Sequence, residues 1–167
     1  ENRAQEFKDK FPLVLKPVNY HFIGSLQKNK VKYLIGKCHL IHSIDSLSLL
    51  EEISRQSVQK GVKTHCLLEV NVGVEEQKHG FSYSELSSAL EHAKLLDGVK
   101  VLGLMAMLPE SDDNEFLFNL AKELREVYDS YKEEYNFKHL SMGMSNDYEI
   151  AIKAGSNMIR VGSKIFG

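Results

Sequence analysis

The chain has 167 residues, of which 43% are hydrophobic and 26% are charged, and its formal net charge is −2. This composition is typical of a soluble globular domain, and the near balance of charge excludes a strongly basic protein that binds nucleic acid or an anionic membrane surface. No apolar run approaches the roughly 20 residues of a membrane helix, the polar opening ENRAQEFKDK is unlike a signal peptide, and two cysteines make no disulfide framework, so we expect a cytoplasmic protein.

Short apolar segments that are typical of strands recur along the chain. In chain order they cover residues 20–24, 38–43, 65–72, 101–107, 139–145 and 158–161. Several are apolar on both faces, as parallel strands are when both sides are covered. The sequence therefore predicts a mainly parallel sheet.

Helical patterns lie between these segments. Leucine, valine and tyrosine residues repeat at helical spacing over residues 115–135 and predict the longest helix. Capping boxes are predicted for Ser82 with Glu85 and for Asn146 with Glu149, each at the start of a helix.

The β-α unit is repeated about six times, which predicts parallel strands joined by right-handed crossovers. Two architectures fit this pattern, an open doubly wound sheet and a (β/α)8 barrel. No G-x-G-x-x-G motif follows a strand, which weakens the dinucleotide-binding form of the first.

Ligands of α/β proteins bind at the carboxyl ends of the strands, and two of these ends contain small hydroxyl residues. Ser145 ends one predicted strand and begins a helix, where a hydroxyl and the first amides can hold an anion. Gly162 and Ser163 end the last predicted strand. Together they predict a phosphate site, and the alternative is that both are ordinary turns.

Arg160 alternates with Met158 and Gly162, so these three residues are predicted to share one face of a strand. If that face points into a barrel, the buried guanidinium needs a partner. One interpretation is an internal salt bridge with Glu69, Glu75 or Glu76. The other is contact with the ring or an acidic group of a ligand.

Other polar residues on the predicted strands are weaker candidates. Cys38, His39 and His42 offer metal ligands at close spacing, but alternation puts His39 on the opposite face, which argues against zinc. His21 and Asn71 lie on strands, where a lone polar residue is most simply a satisfied core group.

Several segments, taken together, resemble a known family. They are HFIGSLQKNK, VNVGVEEQKHGF, GLMAM, LSMGMSNDYEIAIKAGSNMIRVGSKIFG and the opening ENRAQE. In this order they resemble the pyridoxal phosphate homeostasis proteins, the YggS/PROSC family, over nearly the whole chain. The resemblance implies a (β/α)8 TIM barrel of the alanine racemase N-terminal type and pyridoxal 5′-phosphate (PLP) as the cofactor. It further implies a role in intracellular PLP homeostasis without established catalysis.

The resemblance also implies a set of binding residues. Ser145, Gly162 and Ser163 would hold the phosphate, and Arg160 would approach the pyridine nitrogen. A cation there disfavours protonation of the ring nitrogen and weakens the ring as an electron sink. Further residues implied to line the pocket are Asn2, His21, Asn71, Met105 and Met142.

Two departures from the family pattern bear on these expectations. Ser163 stands where the family has threonine, and the hydroxyl is retained. The family's Schiff-base lysine lies upstream of the GEN motif, whose Glu is Glu1 here. We therefore expect residues 1–167 to be one PLP-binding barrel domain containing strands three to eight, with strands one and two, the lysine and the extreme C-terminus absent. Lys78, Lys153 and Lys164 are not assigned its role.

Three functions remain open at this stage. The first is a PLP-binding protein that is not an enzyme and needs no metal. Its expected partners are PLP and apo PLP-dependent enzymes, and it is expected to bind neither nucleic acid nor a membrane. The complete protein is expected to be a monomer. The second is the barrel domain of a PLP-dependent amino-acid racemase or decarboxylase, which requires a second acid/base group. The third is a phosphosugar barrel enzyme, which shares the phosphate residues but gives no role to Arg160.

Overall fold

A computed structural model describes residues 1–73 and 79–167 of the protein. In chain order the described residues form α1 (Ala4–Lys10), β1 (His21–Phe22), β2 (Leu40–Ile44), α2 (Leu47–Gln59), β3 (Thr64–Glu69), α3 (Tyr83–Lys94), β4 (Val99–Met105), α4 (Asn114–Tyr135), β5 (His139–Ser141), α5 (Tyr148–Lys153) and α6 (Ser163–Phe166). Two 3-10 helices, Phe11–Leu13 and Lys28–Tyr33, lie before and after β1. None of the described helices combines the length and the apolar character needed to cross a membrane.

The strands form one parallel sheet in the order β1-β2-β3-β4-β5. Because each strand pairs with the one before it, every crossover moves across the sheet in the same direction. When all right-handed crossovers move in the same direction, their helices lie on one face of the sheet. In a doubly wound sheet the strand order reverses direction, so helices cover both faces. The strand order therefore favours the barrel over the open sheet.

One hydrogen bond shows that the sheet is strongly curved. His42 on β2 and Ser141 on β5 lie three strand positions apart, yet His42 Nδ1 is 2.9 Å from Ser141 Oγ. In a flat sheet these strands would be about 14 Å apart, which two side chains of this size cannot bridge. The sheet curls into part of a barrel with these residues on its concave face.

The main core lies between the convex face of the sheet and the helices. Ile41, Leu68 and Leu104 pack there with Leu90 of α3 and Leu124 of α4. Burial of a side chain of this size contributes about 1.5–3 kcal/mol. The opposite, concave face has a small apolar cluster formed by Leu40, Leu67 and Met105.

The predicted strands are confirmed except the last. Over residues 158–161 only Met158 pairs with the sheet, through an isolated parallel bridge to Ser141. Gly143 has a φ of 99°, which turns the backbone after β5 away from the extended conformation and ends the ladder. One further bond, from Arg160 N to Gly143 O at 2.9 Å, still holds this segment in place.

The helix predictions are confirmed at two places and wrong at a third. The longest helix is α4, and Ser82 N donates to Glu85 Oε2 at 2.8 Å in the predicted capping box of α3. The box predicted for Asn146 is wrong, because Asp147 is the N-cap of α5. Its Oδ1 accepts from Met144 N, so the carboxylate closes the turn before the helix.

Candidate functional site

An open cleft of about 1500 Å³ lies at the carboxyl ends of the strands. Its walls come from the segment after β4, residues 108–112, from the turn between β5 and α5, and from residues 158–163, which lead into the start of α6. Glu1, Asn2, His21 and His42 are among the other residues that line it. The cleft is where ligands of α/β barrels bind.

The structure brings together six of the nine residues implied to bind the cofactor. The residues that line the cleft are Asn2, His21, Ser145, Arg160, Gly162 and Ser163. The other three are not among the described residues that line it. Met105 is 1% exposed in the concave-face cluster, and Met142 is 0% exposed in the main core. Asn71 follows β3, and its Oδ1 accepts from Gly73 N at 3.2 Å.

Ser145 joins the two loops at one end of the cleft. Its Oγ accepts from Gly162 N at 3.3 Å and from Lys164 N at 3.4 Å. With both acceptor sites of the oxygen engaged, the hydroxyl hydrogen remains to donate to a ligand. Gly162 and Ser163 are exposed, and a Cβ added to Gly162 would meet nothing within 4 Å. This end of the cleft is open and offers hydroxyl donors, as an anion requires.

Arg160 is a buried residue of the cleft wall, with 8% of its surface exposed. Its Nη1 donates to Ser141 Oγ and its Nη2 donates to Ala106 O, both at 2.8 Å. Burial lowers the pKa of Arg160, and the charges of Asp147 and Glu69 partly oppose that effect.

The salt bridge considered for Arg160 is not formed by Glu69. No described carboxylate lies within ion-pair distance of the guanidinium, so Glu69 acts on it only through its charge. Glu75 and Glu76, the other two partners considered, lie outside the described residues, as does Lys78. Within the described residues the cation is held by neutral groups alone.

His42 and Ser141 were missed as site residues. His42 is 1% exposed and lines the cleft, with Nε2 3.0 Å from His21 Nδ1 and Nδ1 2.9 Å from Ser141 Oγ. Burial, aided by the charges of His21 and Arg160, lowers the pKa of His42 to about 3. His42 is therefore a neutral imidazole at pH 7. A serine inside an apolar strand, on the same face as the predicted barrel interior, was the signal that would have identified Ser141.

The cysteine and histidine residues near β2 show no metal-site geometry. In residues 1–73 and 79–167, no group of three or more His, Cys, Asp or Glu side chains is arranged to hold a metal ion. The Cys38 thiol instead donates to Tyr20 O at 3.2 Å, and burial raises the pKa of Cys38 to about 11.

Comparison with known proteins bears on both the fold and the cleft. Residues 18–167 match the family model of the alanine racemase N-terminal domain. The pyridoxal phosphate homeostasis protein of Aquifex aeolicus (strain VF5) is 44% identical over 171 residues, covering 100% of this chain and 75% of that protein. The protein of the same name from Helicobacter pylori (strain ATCC 700392 / 26695) is 37% identical, covering 99% of this chain and 75% of its own length.

A solved structure with a similar backbone is PipY of Synechococcus elongatus PCC7942. Without PLP it superposes with a TM-score of 0.92 at 30% identity, and the match covers 100% of this chain and 80% of that one. With PLP bound the TM-score is 0.88 at 29% identity, again over 100% and 80%. The predicted barrel of the alanine racemase N-terminal type is thus confirmed.

Proposed function

The chain belongs to the family of pyridoxal phosphate homeostasis proteins, and from this membership we propose that residues 1–167 are one domain that binds PLP in the cleft and serves intracellular PLP homeostasis. The name of the relatives and the PLP-bound structure of PipY support the proposal. The observation in this chain that supports it most is Arg160, a buried cation that lines the cleft and lacks a carboxylate partner among the described residues.

The residues present suit the chemistry of PLP. Ser145 and Ser163 offer hydroxyl donors and Gly162 leaves open space beside them, which fits a phosphate group. Arg160 would face the pyridine ring, because its charge is offset by neutral acceptors only and favours a lone pair or a negative charge nearby. Asn2 and His21 would line the same cleft, and Asn71, Met105 and Met142 would act only from behind it.

Arg160 also bears on whether the protein is an enzyme. PLP, when bound, supplies an electrophilic carbonyl and a ring that stabilises carbanions best when its nitrogen is protonated. The guanidinium disfavours that protonation. This weakens the ring as an electron sink without preventing turnover, and the name of the relatives is the further support. On both grounds we propose that the protein holds PLP rather than using it in turnover, and that apo PLP-dependent enzymes receive the cofactor from a monomeric carrier in the cytoplasm.

Titration with PLP, followed by absorbance and equilibrium dialysis, tests the proposal. We expect Arg160→Gln to weaken binding and to change the absorption spectrum of bound PLP. The matched control is Arg55→Gln, which removes an exposed guanidinium on α2 that pairs with Glu52, and it should bind as the wild type does. Failure of the wild type to bind PLP would refute the proposal.

A second assay separates a carrier from an enzyme. The protein is incubated with PLP and L-alanine, and the products are resolved by chiral chromatography. We expect no D-alanine and no decarboxylation product above a protein-free control. Turnover that depends on the cleft residues would instead favour the racemase or decarboxylase alternative.

A further inference from the structure

Four polar side chains form a continuous hydrogen-bonded chain across the concave face of the sheet. His21 Nδ1 lies 3.0 Å from His42 Nε2, and His42 Nδ1 lies 2.9 Å from Ser141 Oγ. Ser141 Oγ accepts from Arg160 Nη1 at 2.8 Å. His42, Ser141 and Arg160 are 1%, 0% and 8% exposed, so bulk water does not compete for these partners. This hydrogen-bonded series of side chains ends at the Arg160 guanidinium, which lines the cleft.

The direction of the hydrogen bonds follows from the chemistry of the groups. A guanidinium only donates, so Ser141 Oγ is the acceptor and its hydroxyl hydrogen needs an acceptor of its own. His42 Nδ1 is that acceptor at 2.9 Å. His42 must then have its hydrogen on Nε2, which donates to His21 Nδ1. The reverse direction would leave the Ser141 hydrogen without an acceptor among the described residues, at a cost that buried groups rarely bear.

From this geometry we propose that Ser141 and His42 are positioning residues, which hold the Arg160 guanidinium in one orientation and leave its charge unneutralised toward the cleft. Ala106 O fixes the second arm of the guanidinium at 2.8 Å. A carboxylate in place of Ser141 would anchor the cation equally well but would cancel its charge. The use of that charge on PLP rests on the proposed function, whereas the positioning itself does not.

A test without cofactor uses side-chain NMR of ¹⁵N-labelled protein. We expect the wild type to show His42 as the neutral Nε2–H tautomer and to show slowly exchanging guanidinium signals from Arg160. Ser141→Ala should broaden or remove the Arg160 signals and shift His42 Nδ1. The control is Ser57→Ala, which removes another fully buried hydroxyl, bonded to Thr64 Oγ1 at 2.7 Å on the helix side of the sheet. This control should leave both sets of signals unchanged.

Two results of this experiment would overturn the inference. One is a His42 hydrogen on Nδ1 in the wild type. The other is an Arg160 spectrum in Ser141→Ala that equals that of the wild type. Should Ser141→Ala fail to fold, His42→Leu provides the same comparison, because leucine has no acceptor for the Ser141 hydroxyl and the change should also disorder the guanidinium.

A second arm measures the affinity for PLP by equilibrium dialysis. We expect Ser141→Ala to weaken binding by about tenfold, the scale of one hydrogen bond to a charged group, and Ser141→Thr to restore it. Ser57→Ala should stay within about twofold of the wild type. Unchanged affinity in Ser141→Ala would overturn the inference. Absence of binding by the wild type would refute the proposed function instead, and the NMR comparison would still decide the role of Ser141 and His42.

Discussion

Replacing His42 with asparagine should make the stability of the protein less sensitive to acid. His42 is 1% exposed, and its burial, with the nearby charges of His21 and Arg160, lowers its pKa from 6.5 to about 3. Asparagine retains an acceptor near the position of Nδ1 for the Ser141 hydroxyl but does not titrate. The substitution therefore isolates the effect of the titrating imidazole.

The sign and the size of the effect follow from proton linkage. Between pH 6.5 and about 3, the unfolded chain binds a proton on His42 that the folded protein does not. The stabilisation that the neutral, buried His42 gives to the folded state is therefore fully present above pH 6.5. It is lost progressively as the pH falls from 6.5 to about 3. At 1.36 kcal/mol per pH unit, the loss is about 5 kcal/mol over the whole window and about 2 kcal/mol between pH 7 and 5. The lowered pKa values of His21, His65 and His139 act in the same direction.

Urea unfolding followed by circular dichroism at pH 7, 6 and 5 measures this difference. The wild type should lose about 2 kcal/mol more than His42→Asn between pH 7 and 5. Ser57→Ala, which is buried but does not titrate, should give a curve that lies below that of the wild type and parallel to it. Equal losses in the wild type and in His42→Asn would refute the reasoning.

Three other substitutions or treatments have expected outcomes. Ser145→Ala should weaken PLP retention in dialysis, because a lost charge-assisted hydrogen bond costs about 1.5–3 kcal/mol; retention equal to that of the wild type would argue against the phosphate assignment. Gly103→Ala should lower the free energy of unfolding by about 3 kcal/mol or more in urea titrations, since φ is +150° and the added Cβ would overlap the carbonyl oxygen of His139; a change below about 1 kcal/mol would contradict this. Cys66, which is 0% exposed and whose pKa burial raises to about 12, should resist iodoacetamide at pH 8 until urea unfolds the chain, and rapid labelling of the folded protein would show the site to be open.

The parts of the fold that were predicted from sequence are those determined by local periodicity. Helix α4 has an apolar stripe over six turns, and its bounds differ from the prediction by one residue. The segment at residues 158–161 looked like a strand because it is apolar and short. Pairing along a strand depends on the backbone of its neighbour, and the neighbour β5 is followed directly by the turn at Gly143. Sequence periodicity contains no information on such a partner.

In the site, too, the residues that could be predicted are those marked by the local sequence, and the contacts between distant residues could not be predicted. Ser145, Gly162 and Ser163 follow predicted strands, and the ends of apolar segments can be recognised locally, so they were predicted to form one site and do line one cleft. The partner of Arg160 is Ser141, 19 residues away, and the next group is His42, a further 99 residues away. Only the curvature of the sheet brings β2 opposite β5. Met105 and Met142 were assigned by resemblance, but Met105 packs in the concave-face cluster and Met142 in the main core.

The sequential strand order has a consequence for how the protein folds. From β2 onward each strand pairs with its immediate predecessor, and the paired residues are 19 to 36 positions apart, as in His21 with Leu40 and Gly103 with His139. These loops are shorter than those closed by the contacts within the cleft, and the entropy cost of closing a loop rises with its length. The contacts of Arg160 with Ala106 and of His42 with Ser141 span 54 and 99 residues of the chain, and the second cannot form until β5 has joined the curved sheet. We expect the sheet and its helices to assemble first and Arg160 to take its position in the cleft last. An incompletely folded chain would then have exposed strands and no ligand-binding cleft.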